Sequence, residues 1–339
     1  VKDDSNERRR MIGVALGVKT VAEAVDALPR VAATADAAEL RLDFFEESYD
    51  LERLLSDRPL PVIVTNRPPR EGGRCHLPES ARLAVLRRAG ELGADYLDLE
   101  SDAASPEVVD SLKDTGARIV ISRHSFGGMP NDLLAWADEM AERGADVIKV
   151  VGMAHDARDI LPVCRVFYHV DRPTIAIAMG DAGLASRVLA LRYDRCFLTF
   201  ATLDSGAQTA PGQIPVADLH AVYRARRLGP TSEVFGVLGT GVSREVLAEH
   251  NARFAAKGRS AVVVPIQPSA PAPEILAAFR ELPVAGWQIL EEADQTAAVN
   301  GVDDLGELAR RKGKVNIVRV EGERLRGEWD SDPQFSLWD

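Results

Sequence analysis

Short apolar runs, several of them β-branched, alternate along the first two thirds of the chain with longer stretches whose apolar residues recur at helical spacing. The runs cover residues 12–16, 38–42, 62–65, 96–99, 118–122, 147–151, 174–178 and 196–200. Amphipathic stretches at 80–92, 106–115, 132–143, 156–167 and 183–191 lie between them. The runs restart about every 25 residues, the length of one strand plus one helix. Gly93, Gly116, Gly144 and Gly180 punctuate the boundaries, most of them just past a helical stretch, where a left-handed residue ends a helix. About eight such units, closing near residue 224, predict an α/β chain whose first part is a (β/α)8 TIM barrel. An open doubly wound sheet fits less well, because it uses fewer strands and a GxGxxG phosphate loop, and none opens the first helix.

A barrel of this kind builds its site at the C-terminal ends of its strands. The polar residues there are unusual. Glu39, Arg41 and Asp43 alternate on the second run and share one face. Asn66-Arg67 and Glu71-Gly72-Gly73 follow the third run, Ser122-Arg123-His124-Ser125-Phe126 ends the fifth, and Lys149 lies within the sixth. Met179-Gly180 and Ser186-Arg187 follow the seventh, and Thr209-Ala210-Pro211-Gly212-Gln213 follows the eighth.

Lys149 stands out because the chain has seven lysines and far more arginines. Burial in Val147-Ile148-Lys149-Val150-Val151 favours the neutral amine, which can attack a carbonyl and form a Schiff base. Each residue also has a plainer role. Lys149 can snorkel from a strand end, Glu39 and Arg41 can form a structural ion pair, and His124 can cap a loop. Arg187 can be a solvated helix charge, and Thr209–Gln213 only a turn. Their convergence at one end of one barrel favours a site, since surface charge has no reason to keep that register.

Hydrophobic residues make up 46% of the 339-residue chain, enough for a large core and about two domains. A net charge of −11 argues against nucleic acid or an anionic membrane as a partner, so an anionic substrate would need a local cluster of cations. Cys75, Cys164 and Cys196 lack metal-ligand or CxxC spacing, and Cys164 and Cys196 read as reduced core residues, a pattern that suits the cytoplasm. Arg8-Arg9-Arg10 before an apolar run faintly imitates a signal peptide, but Lys19 ends the run, so residues 1–10 read as a disordered charged leader. No segment approaches the roughly 20 apolar residues of a membrane span.

Seven motifs in order, Glu39-Leu40-Arg41-Leu42-Asp43, Thr65-Asn66-Arg67 with Glu71-Gly72-Gly73, Ile121-Ser122-Arg123-His124, Val147-Ile148-Lys149, Met179-Gly180 through Ser186-Arg187, Leu198-Thr199-Phe200 and Ala210-Pro211-Gly212-Gln213, resemble type I 3-dehydroquinate dehydratase. The match spans roughly residues 11 to 224. The resemblance implies a shikimate-pathway lyase that turns 3-dehydroquinate into 3-dehydroshikimate and water without metal or cofactor. It implies Lys149 as the imine-forming residue, His124 as general acid and base, and Glu71 as the partner that orients His124. Arg187 and Gln213 would take the substrate carboxylate and a neighbouring hydroxyl, with Thr209 beside them; Glu39, Arg41 and Arg67 would hold ring hydroxyls and shape the mouth. Ser125 and Thr209 depart from the family's usual acidic or amide residue and its serine, and both keep a polar side chain. A homodimer is compatible with the resemblance. The rival classes are another imine-forming enzyme such as a class I aldolase, and a silent metabolite-binding protein.

After a link at 225–232, an α/β pattern restarts: strands near 234–239, 261–266 and 286–290 with helices near 245–257 and 273–281. This unit, 233–339, resembles the substrate-binding half of shikimate dehydrogenase, as in plant-type fusions. Its functional residues have drifted. Val242-Ser243-Arg244-Glu245-Val246 precedes His250-Asn251 without the family's second serine, and Asp294 stands in place of its lysine. A degenerate module that packs, associates or binds a regulator is one expectation, and a fragment of a longer bifunctional enzyme the other.

Overall fold

The computed structural model describes residues 10–46, 48–204 and 208–331. Residues 1–9 of the predicted leader and 332–339 of the second predicted unit lie outside that range.

Each of the eight predicted runs contributes a strand: β1 (Met11–Leu16), β2 (Ala37–Arg41), β3 (Val62–Thr65), β4 (Tyr96–Glu100), β5 (Arg118–Ser125), β6 (Val147–Met153), β7 (Thr174–Met179) and β8 (Leu198–Thr202). β2 to β7 pair in succession and β1 pairs with both β2 and β8, all parallel. Helices ring this sheet, so both of its faces are buried, which is why the runs read as nearly continuous apolar sequence. Along β6, Val147 and Val151 join the barrel interior, whereas Ile148 and Val150 pack under the helices. The period of two therefore turns Lys149 inward.

The barrel closes narrowly. β7 meets β8 through the Thr174–Cys196 bridge, where Thr174 N–H donates to Arg195 O (2.7 Å) and Phe197 N–H to Thr174 O (2.8 Å). Toward the C-terminal end the seam is filled by the segment after β8. Its short strand β9 (Ile214–Pro215) pairs with β8 through Ala201 and Ile214, and Gly180 N–H donates to Pro211 O at 3.3 Å. The predicted Pro-Gly-Gln loop is thus built into the barrel wall.

The second sheet has six strands in the order β11-β10-β12-β14-β15-β13, with β10 (Glu233–Leu238), β11 (Ala261–Ile266), β12 (Val284–Ile289), β13 (Asp304–Leu305), β14 (Ile317–Glu321) and β15 (Arg324–Glu328). β10 pairs in parallel with β11 and β12. The antiparallel hairpin β14–β15 was not foreseen from the sequence. The helix Arg244–Ala256 is tied to β11 by Asn251, whose amide accepts from Val263 N–H (2.8 Å) and donates to Val263 O (3.3 Å). The barrel helix Leu184–Leu189 lies against β11, so the two sheets share one apolar layer. Among the described residues, no helix is long and apolar enough to cross a membrane.

Candidate active site

All nine candidate residues line one cleft at the C-terminal end of the barrel. At its floor Lys149 is 4% exposed. The sequence predicts an aliphatic surround for this amine; the fold adds two carboxylates. Nζ donates to Asp98 Oδ2 at 2.8 Å and to Glu39 Oε1 at 3.0 Å, and lies 4.7 Å from the centre of the Phe200 ring. Burial alone would raise the Asp98 carboxyl, but Arg67 and then Lys149 outweigh it and hold the group far below the usual carboxylate range.

His124 stands on β5, and its Nδ1 is 3.0 Å from Glu71 Oε2. Burial, reinforced by the Arg67 and Lys149 charges, pushes the imidazole well below its ordinary value, so it is neutral at physiological pH. Burial also raises the Glu71 carboxyl to about 7, with Arg67 opposing. With Glu71 ionised, Nδ1–H donates to it and Nε2 is left as the acceptor. Gly72, at φ 75°, has no Cβ to collide with the Phe126 ring, which covers the mouth and stacks 6.5 Å from the imidazole.

Arg67 is the hub beneath both groups. Nη2 donates to Asp98 Oδ1 (2.8 Å), and Nη1 donates to Ser122 Oγ (2.8 Å) and Glu100 Oε1 (3.0 Å) and approaches Glu71 Oε2 (3.5 Å). Glu100 is backed in turn by the buried Arg82, 2.5 Å away. Arg41 forms two hydrogen bonds with Asp43 (2.9 and 2.7 Å) and lies over the Phe44 ring. Glu39, Arg41 and Arg67 therefore meet the cavity already engaged with other side chains. Asp98, Glu100 and Arg82 were absent from the sequence-based candidates. Asp98 and Glu100 carry the same alternation on β4 that marks Glu39 and Arg41 on β2.

The cavity differs in charge around Arg187. Arg187 is 1% exposed and, among the described residues, donates only to backbone carbonyls, Pro211 O (3.0 Å) and Phe200 O (3.5 Å), while its Nε has no partner among them. Burial lowers it to about 10. A buried cation without a counter-ion is a seat for an anion. Gln213 Oε1 accepts from the N–H of Thr209 (2.8 Å) and of Ala210 (3.3 Å), and Nε2 lies 3.2 Å from Thr209 Oγ1. Thr209 and Gln213 thus fold their own loop as well as lining the cavity. Among the described residues, no three His, Cys, Asp or Glu side chains are grouped to hold a metal ion.

Residues 12–230 match the family model of type I 3-dehydroquinase. A bifunctional 3-dehydroquinate dehydratase/shikimate dehydrogenase of Arabidopsis thaliana is 34% identical over 292 residues, 84% of this chain and 48% of that protein. The chain thus spans about half the length of that relative. The crystal structure of a 3-dehydroquinate dehydratase from Geobacillus kaustophilus HTA426 is 26% identical with a TM-score of 0.56, covering 62% of this chain and 88% of that one. The S. pombe dehydroquinate dehydratase and shikimate dehydrogenase, 22% identical, shares the fold across 94% of this chain and 64% of its own, at a TM-score of 0.53. The ordered motifs, the curled parallel sheet and this match over most of the length agree: the chain belongs to the type I 3-dehydroquinase family of lyases, extended by a shikimate dehydrogenase-like α/β region.

Proposed function

We propose that the protein converts 3-dehydroquinate into 3-dehydroshikimate and water, with Lys149 as Schiff-base nucleophile and His124 as general acid and base. The observation that carries this reading is a buried amine and a buried neutral imidazole on one cavity that also holds an arginine with no counter-ion among the described residues. Loss of one proton from the Lys149 ammonium frees its lone pair to attack the ring ketone, and the adduct expels water to give an iminium. The positive charge stays on the same nitrogen, so Glu39 and Asp98, which held the ammonium, also suit the iminium. The iminium draws electrons from the adjacent carbon, and His124 Nε2 takes its proton. The resulting enamine pushes out the neighbouring hydroxyl, which leaves as water with the proton from His124. A water hydrolyses the imine and restores the lysine; the water lost on condensation is returned, leaving one water as net product.

Arg187, with Gln213 and Thr209 beside it, is assigned to the substrate carboxylate and a hydroxyl. Arg187→Met should cost about 3 kcal/mol of transition-state binding, roughly a hundredfold in kcat/KM, mostly through KM. Because Arg187 has no carboxylate partner among the described residues, its removal orphans no buried charge there, and the melting temperature should not fall. Steady-state kinetics beside a thermal melt check both expectations. The reading as a whole is tested by following the enone absorbance formed from 3-dehydroquinate; silence with this substrate alongside cleavage of a phosphorylated aldol would favour an aldolase.

In the same reading residues 11–224 form the catalytic barrel, 225–232 the link and 233–339 a non-catalytic region, with the assembly a homodimer. Supporting the loss of catalysis, Glu291 Oε1 accepts from Thr240 N–H (2.5 Å) and Thr240 Oγ1 (2.7 Å), so a carboxylate spans the loop after β10. Asp294 replaces the lysine that the dehydrogenase resemblance requires.

A further inference from the structure

The helix Leu184–Leu189 continues into a 3-10 turn, Ala190–Arg192, and together they form a short arm with two buried faces. One face delivers Arg187 to the cavity. Near its start the arm is clasped to β7 by Ser186, whose hydroxyl accepts from Ala178 N–H at 3.1 Å. Its far end is clasped by Arg192, 8% exposed, whose Nε donates to Ser232 O (2.7 Å) and whose Nη2 donates to Pro230 O (3.2 Å). Those carbonyls belong to the stretch leading into β10. On the outer face, Leu189 and Arg192 line a small, mostly apolar gap together with Val234, Val264 and Trp287 of the second sheet. The arm is therefore held, on the face away from the cavity, by the link at Pro230 and Ser232 and by the second sheet behind it.

Arg187 needs that support. Its protein partners are two backbone carbonyls, one of them at 3.5 Å. Misplacement of a binding group by about 1 Å can cost a hundredfold in rate. We propose that Arg192 is a positioning residue for Arg187, and that the link before β10, backed by the second sheet, serves the lyase as a bracket which sets the carboxylate-binding arm. The proposal rests on the assignment of Arg187 to the substrate carboxylate.

The test uses the full chain. Arg192→Ala should raise KM about tenfold and leave kcat within about twofold, since binding geometry shifts while Lys149 and His124 are untouched. In an Arg187→Met background the same substitution should leave KM unchanged, because a residue acting through another loses its effect when that other is gone. Arg192→Lys keeps the charge but cannot fork between two carbonyls, and should fall in between. If the alanine variant does not accumulate folded, the lysine variant carries the same double-mutant cycle. Equal KM increases in both backgrounds, or an unchanged KM with lowered kcat and melting temperature, would overturn the bracket. A parent chain with no turnover would instead overturn the lyase reading.

Discussion

Lys149→Arg should abolish turnover, by at least about ten-thousand-fold in kcat, while the protein stays folded. A guanidinium does not lose its proton and forms no imine, yet it keeps a cation between Glu39 and Asp98. Lys149→Ala should be equally inactive but less stable, because it takes the cation from Glu39 and leaves Asp98 with Arg67 alone, and breaking a buried ion pair typically costs about 3–5 kcal/mol. The pair of variants separates chemistry from folding. Borohydride added with 3-dehydroquinate should fix substrate mass on Lys149 alone of the chain's seven lysines. Lys19, for comparison, is largely exposed beside Glu46, and Lys113 donates to Gly144 O at the far end of β6. Label on any other lysine, or a kcat largely kept by Lys149→Arg, would remove the imine from the mechanism.

The barrel was legible because strands buried on both faces announce themselves as short apolar runs, and the helices between them carry a clear period. The first helix, Val21–Ala32, carries Pro29, which argues against a helix locally but sits in the last turn, where few intrahelical bonds depend on it. Lys149 and His124 were legible because polar groups rarely interrupt such strands without a reason. Asp98 and Glu100 offered the same signal, but Leu97 and Leu99 alternating with them make the stretch read as plain buried strand. Arg82 gave none: in the helix Glu79–Glu91 it is one arginine among several, and only the fold sets Glu100 against it. Closure of the β7–β8 seam by residues 210–215 was hidden for a related reason, since a turn-like loop does not reveal which strand edge it will pair with. The hairpin β14–β15 is half exposed and rich in Arg and Glu, so its alternation is muted.

His124→Ala should lower kcat by about a thousandfold or more, the proton transfers on both sides of the enamine being lost together. The pH dependence is more discriminating. The imidazole, held well below its ordinary value by burial and then by Arg67 and Lys149, remains an unprotonated base through neutral and mildly acidic solution. Glu71, raised to about 7 by burial, is the group of the pair that gains a proton in that range. Below about pH 7 the Glu71 carboxylate is lost, and with it the acceptor that keeps the His124 proton on Nδ1 and the lone pair on Nε2. The acid limb of kcat/KM should therefore fall near pH 7 and belong to Glu71, with activity dropping as pH drops. Glu71→Gln should be slower at its best pH by about a hundredfold, since an amide can also donate to Nδ1 and select the wrong tautomer, and the limb near 7 should vanish from its profile. Should that limb persist unchanged in Glu71→Gln, the titrating group is another one, and the orienting role passes from Glu71 to whichever neighbour removes it.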